Sequence, residues 1–208
     1  MRVAIIGTGA AGVAVAELLH DAGVGCDGTG DIIGVDSTGI LHRGRAGLTP
    51  TKQWFVDNGN ADDRRGGVHE ALKGADVLLG LSGPGVIEAE WLVDMADDAI
   101  VFAMANPTPE VMPELMPPNV AVIATGRSDY PNQINNVLAF PGVFRGMLDV
   151  HATRCTIEMK HAASDALASL VDEPTAGRII PGAFEEGVAD VVAEAVRKKA
   201  LALGHIRR

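Results

Sequence analysis

Along most of the chain, short apolar runs alternate with stretches in which small or apolar residues recur every three or four positions. The runs at residues 2–6, 31–35, 76–80, 99–103 and 119–124 predict five strands. Residues 11–21 predict a helix of small residues ending near Gly23. Thr49 is the expected N-cap of a further helix, with Pro50 in its first turn, running to about Val56. Residues 68–73 predict a short helix stopped by Gly74, and another is expected over 88–95. The segment Asn106-Pro107-Thr108-Pro109 is irregular by necessity, because each proline holds its predecessor in extended angles. Beyond Pro131 the pattern turns helical. Over residues 151–171, Cys155, Met159, Ala162, Ala166 and Leu170 share one face, and Phe184, Val188, Val191, Val192, Ala195 and Val196 repeat that spacing.

Strands alternating with helices imply a parallel sheet covered on both faces. The expected fold is α/β: a doubly wound, Rossmann-type, mostly parallel sheet with C-terminal helices. Composition agrees, since 208 residues with 47% apolar and 21% charged side chains suit one domain with a buried core. No apolar run approaches the roughly 18 residues of a membrane span. The first six residues read as a strand and not as a signal peptide, so the expected location is cytoplasmic, with no membrane partner. Cys26 and Cys155 form neither a disulfide framework nor a metal knuckle. The net charge is −10, the basic residues are scattered and aromatics make up only 4%, which excludes a nucleic-acid footprint.

The 25 glycines direct attention to tight turns and close backbone approach. Gly7-Thr8-Gly9-Ala10-Ala11-Gly12 reads GxGxxG, follows a predicted strand and opens a predicted helix. In that context Gly7 permits the turn, Gly9 lets the backbone approach a pyrophosphate, and Gly12 lets helix and strand pack closely. The first helical amides, at Ala10, Ala11 and Gly12, would face the phosphate charge. Asp36, ending the second strand, suits the ribose hydroxyls of NAD and repels the 2′-phosphate of NADP. The nearby Arg43 and Arg45 either offer charge to such a phosphate or form a solvated loop. Two further turns follow strands where ligands of such sheets bind: Ser82-Gly83-Pro84-Gly85, and the segment opened by Asn106, whose carboxamide both donates and accepts. Residues 1–150 are thus the expected dinucleotide-binding core of a single domain spanning 1–208, with the helices of 151–208 packing on it.

Residues 125–146, from Thr125-Gly126-Arg127-Ser128-Asp129-Tyr130 through Pro131-Asn132-Gln133-Ile134-Asn135-Asn136 to Phe144-Arg145-Gly146, closely resemble the bacterial malic enzymes. So do Val35-Asp36-Ser37, Gly44-Arg45, Ala105-Asn106-Pro107-Thr108-Pro109-Glu110 and Ile179-Ile180-Pro181, and the resemblance covers essentially the whole chain. It implies NAD(P)-dependent oxidative decarboxylation of L-malate to pyruvate and carbon dioxide, with Asn106, Asn135 and Asn136 beside nicotinamide and substrate. Asn135 and Asn136 also suit an N-cap pair opening a helix. The family also includes malolactic enzymes, which release lactate, and no residue here separates the two outcomes.

The resemblance further implies a preceding domain carrying a tyrosine general acid, a lysine general base and the carboxylates that bind magnesium or manganese. None of these is expected in this chain. Its single tyrosine, Tyr130, lies inside the family segment, and Lys52, Lys73, Lys160, Lys198 and Lys199 read as surface helix positions. The pairs Asp62-Asp63, Asp97-Asp98 and Glu185-Glu186 read as solvated turns or helix ends. His20, His69 and His161 lack a second ligand at helical spacing. The expected catalytic and metal-ligating sets are therefore empty. Three readings stand: the cofactor half of a malic enzyme completed by a separate domain or a homo-oligomer, a standalone NAD-binding module, or a gene fragment that still folds. A sticky apolar seam would favour the first.

Overall fold

Strand β1 (Arg2–Ile6) alternates its side chains between two covered faces, with Val3 and Ile5 on one and Ala4 and Ile6 on the other, all four buried. The computed structural model describes residues 1–26 and 30–207. Strands β2 (Asp31–Asp36), β3 (Gly39–Ile40), β4 (Val77–Gly80), β5 (Ala99–Ala103) and β6 (Val120–Thr125) complete one sheet in the order β3-β2-β1-β4-β5-β6. Every pairing is parallel except β2 with β3, which close an antiparallel hairpin. The doubly wound sheet is thus as expected, with one strand more than the apolar runs predict.

On one face α1 (Ala10–Asp21) and α2 (Pro50–Asn58) deliver Val13, Ala16 and Phe55 onto Val3, Ile5 and Ile32. On the other, α3 (Val68–Leu72) and a 3-10 helix at Ala89–Asp94 deliver Leu72 and Leu92 onto Ile6, Val35 and Val101. Residues 88–95 were expected to form an α-helix, and the tighter 3-10 form is observed instead. Thr49 caps α2 as its sequence predicts, its hydroxyl accepting from the Lys52 amide at 3.4 Å.

The described chain divides into two compact units, Met1–Arg127, which holds the sheet, and Ser128–Arg208. The second consists of a 3-10 turn at Asn136–Leu138 and helices α4 (Phe140–Asp149), α5 (Ile157–Ala168) and α6 (Val188–Ala202). Gly142 and Gly146 let α4 lie directly against α6, since a Cβ on Gly146 would stand 2.3 Å from the Ala193 carbonyl oxygen. The periodic faces need correction here. Helix α5 starts only at Ile157, so Cys155 precedes it and is exposed, while Met159, Ala163 and Ala166 form the buried stripe. Phe184 is 90% exposed outside any helix, and α6 buries Val188, Val192, Ala193, Val196 and Ala200. Both cysteines are free, and among the described residues no helix is long and apolar enough to cross a membrane.

Candidate dinucleotide site

The strand order reverses between β1 and β4, and the carboxyl ends of these two neighbours define the crevice where doubly wound sheets take ligands. Gly7 closes β1 at φ +112°, and a Cβ there would lie 2.3 Å from the Leu81 carbonyl oxygen, so the turns after β1 and β4 touch through it. Gly12 is equally constrained, because its Cβ would stand 2.0 Å from the Gly7 oxygen. Gly9 differs: it is the N-cap of α1, in an extended conformation, and a Cβ there would meet nothing within 4 Å. The space in front of Gly9 is open, as close approach by a ligand requires.

No side chain caps α1 and no acidic residue lies in its first turn. The amide groups at Ala10, Ala11 and Gly12 are therefore available at the positive end of the helix dipole. Thr8 is buried, and its hydroxyl oxygen has no hydrogen-bond partner. The glycine pattern does not single out Thr8; burial beside an uncapped helix start does. These features fit a pyrophosphate group held by the backbone.

Asp36 ends β2 with its side chain only 8% exposed. Its carboxylate accepts from Arg45 at 2.7 and 2.8 Å, from Lys52 Nζ at 2.6 Å and from the amide and hydroxyl of Thr38 at 2.9 and 2.8 Å. Burial works to raise its pKa, but the hydrogen bonds from Lys52, Arg45 and Thr38 outweigh it and hold the carboxyl well below the usual range. Arg45 also donates to the Thr38 hydroxyl and to the Gly39 and Ile40 carbonyls, pinning the β2–β3 hairpin. Arg45 is thus not a solvated loop residue, and Lys52 is not a plain surface helix position; both are fixed at the strand end. An open depression of about 650 Å3 beside them is lined by Asp36, Ser37, Thr38, His42, Arg45 and Gly67.

On the other side of the crevice, Ser82 is exposed and Gly83 half-buried after β4. Asn106 follows β5, exposed, at a cis bond to Pro107. Sequence reasoning missed Glu110, which is 2% exposed and accepts from the Ser82 and Ala105 amides at 2.9 and 3.0 Å.

In the second unit Asn135 and Asn136 are both exposed. Asn135 is an N-cap, its oxygen accepting from the Val137 amide at 3.0 Å, but what it caps is a single 3-10 turn, and α4 starts later at Phe140. Asn132, not singled out in advance, is buried at φ +56° and staples its segment to residues 176–179. Its amide donates to the Ala176 carbonyl at 2.8 Å and its oxygen accepts from the Ile179 amide at 2.9 Å. Two family-like segments far apart in sequence are joined by this residue.

His69 stacks on Trp91 and pairs with Asp94 at 2.7 Å, and His20 meets the edge of Trp54. Asp62 and Asp63 are engaged by Arg2, Arg64 and Arg65, and Glu185 by Arg178. Among the described residues no three His, Cys, Asp or Glu side chains converge, so these residues do not by themselves fit a magnesium or manganese ion.

A doubly wound sheet with an uncapped, glycine-lined helix start at its switch point and a carboxylate ending β2 defines a dinucleotide-binding domain of the Rossmann class. A family model described as the malic enzyme NAD-binding domain matches residues 1–201. The chain is 47% identical over 210 aligned residues to the NAD-dependent malic enzyme of Geobacillus stearothermophilus, covering 100% of this chain and 43% of that protein. It is 41% identical over 206 residues to the NADP-dependent malic enzyme of Halomonas elongata, covering 98% of this chain and 44% of that one. The crystal structure of malic enzyme from Pyrococcus horikoshii superposes with a TM-score of 0.90 at 42% identity, over 100% of this chain and 49% of that one. The chain belongs to the malic enzyme family, as its NAD-binding domain, and spans less than half the length of these relatives.

Proposed function

We propose that this chain is the cofactor-binding half of a malic enzyme, holding NAD for the oxidative decarboxylation of L-malate to pyruvate and carbon dioxide. The observation that carries the reading is the start of α1, where free amides face open space in front of Gly9. Gly7, Gly9, Ala10, Ala11 and Gly12 would hold the pyrophosphate, and Asp36 the adenosine ribose. Ser82, Gly83, Asn106 and Asn135 would line the nicotinamide portion, with Asn106, Asn135 and Asn136 orienting the substrate carboxylate. Bound there, the nicotinamide would supply the hydride acceptor; the chain's own side chains bind and orient.

NAD is preferred over NADP in this reading because Asp36 puts a carboxylate where a 2′-phosphate would stand. The preference is narrowed by Arg45 and Lys52, two cations already on that carboxylate. Relatives of both cofactor types exist, so this cluster and not the glycine turn is where discrimination is expected.

No residue of this chain is assigned as general acid, general base or metal ligand. Lys52 is tied to Asp36, and the other lysines lie outside the crevice elements. Those groups would come from a further domain, a separate chain or a homo-oligomer, in the cytoplasm. An apolar stripe on α4 favours this half-enzyme reading over a standalone module: Phe140, Phe144 and Leu148, four residues apart, are 61%, 48% and 69% exposed. The test is formation of NADH from L-malate, NAD and manganese by the chain alone, with NAD binding titrated in parallel. Binding without turnover is expected. Turnover requiring all three components would contradict the assignment of acid, base and metal ligands to another part.

A further inference from the structure

We propose that Glu110 is a positioning residue that locks the turns after β4 and β5 into one body, and so sets affinity for the nicotinamide half of the cofactor alone. The inference rests on the NAD-binding reading above. Carboxylates are almost never fully buried unless paired, yet Glu110 is 2% exposed with two backbone amides as its partners. Oε1 accepts from the Ser82 amide at 2.9 Å and Oε2 from the Ala105 amide at 3.0 Å. Gly80, the last residue of β4, leaves the room: a Cβ there would stand 2.6 Å from the Glu110 carboxyl carbon. One side chain thus spans the end of β4, the turn at Ser82 and the residue immediately before Asn106.

An ionised carboxylate accepts on both oxygens, and bonds from backbone amides to it are charge-assisted. No neutral side chain of the same shape can do this, since the carboxamide of Gln accepts on one atom and donates from the other. In doubly wound sheets the β1–β2 half takes the adenosine, and the half beyond the switch point takes the second nucleotide. Glu110 lies wholly in that second half, while the glycine turn and Asp36 lie in the first.

The test compares Glu110→Gln with wild type in titrations of NADH and of AMP, which carries only the adenosine half. The expected result is an NADH affinity lowered about tenfold with AMP affinity within about twofold of wild type. Equal losses for both ligands, or no loss for either, would overturn the proposal. Wild-type chain that binds neither ligand would instead sink the NAD-binding reading, and the inference with it. A second measurement needs no variant and guards against a misfolded one. In wild-type chain, NADH should slow hydrogen exchange at both the Ser82 and Ala105 amides, and AMP at neither. Protection of only one amide, or equal protection by AMP, would contradict a shared clamp.

Discussion

At the scale of the residue, Asp36 carries the most consequential arrangement, because one nearly buried carboxylate serves Arg45, Lys52 and Thr38 at once. Replacing Asp36 by Ser removes the charge that opposes a 2′-phosphate and leaves both cations to meet it. The NADP-to-NAD affinity ratio is expected to rise at least about tenfold in titrations with the two reduced cofactors. An unchanged ratio would remove Asp36 from the ribose site. The same residue predicts a pH dependence. Its folded pKa lies below the ordinary aspartate value of 3.8, so its contribution is complete above that value and is lost as pH falls toward the folded one. The Tm difference between wild type and Asp36→Asn should be equal at about pH 7 and about pH 5 and shrink by about pH 3. A difference that widens on acidification would show that the carboxylate is not held by its cations.

The element scale shows what the sequence made legible. Five strands and the helix capped by Thr49 follow from short apolar runs and a capping signal, both local. Strand β3 escaped because two residues, Gly39 and Ile40, carry no periodicity. The helix expected over 151–171 starts only at Ile157, because the residues after His151 pair with the C-terminal segment instead. Ala152 bridges Ile206, and the Thr153 amide donates to the His205 carbonyl at 2.9 Å. The candidate site divides the same way. The glycine turn is contiguous and was legible, whereas the partners of Asp36 and Glu110 lie up to 16 and 28 residues away and meet only in the fold. Packing of α4 on α6 gives a sharp prediction. Gly146→Ala gains about 1 kcal/mol of helix propensity. Its Cβ would stand 2.3 Å from the Ala193 carbonyl oxygen, a backbone clash. Overpacking of this kind costs about 1–3 kcal/mol or more, so a Tm lowered by a few degrees is expected in a thermal melt. A raised Tm would mean that the two helices are not in direct contact.

For the whole molecule, the central claim is that the α1 start is a pyrophosphate cradle in a chain that binds NAD without completing the reaction alone. Gly9 and Gly12 separate binding from folding, since a side chain on Gly9 enters open space while one on Gly12 strikes the Gly7 carbonyl. The most direct measurement is a calorimetric titration of NADH into wild-type chain and Gly9→Val, with thermal melts of both. Saturable binding by wild type, weakened at least about 100-fold in Gly9→Val with the melting temperature kept, is the predicted result. Equal NADH binding by the two proteins, or none by wild type, would contradict it.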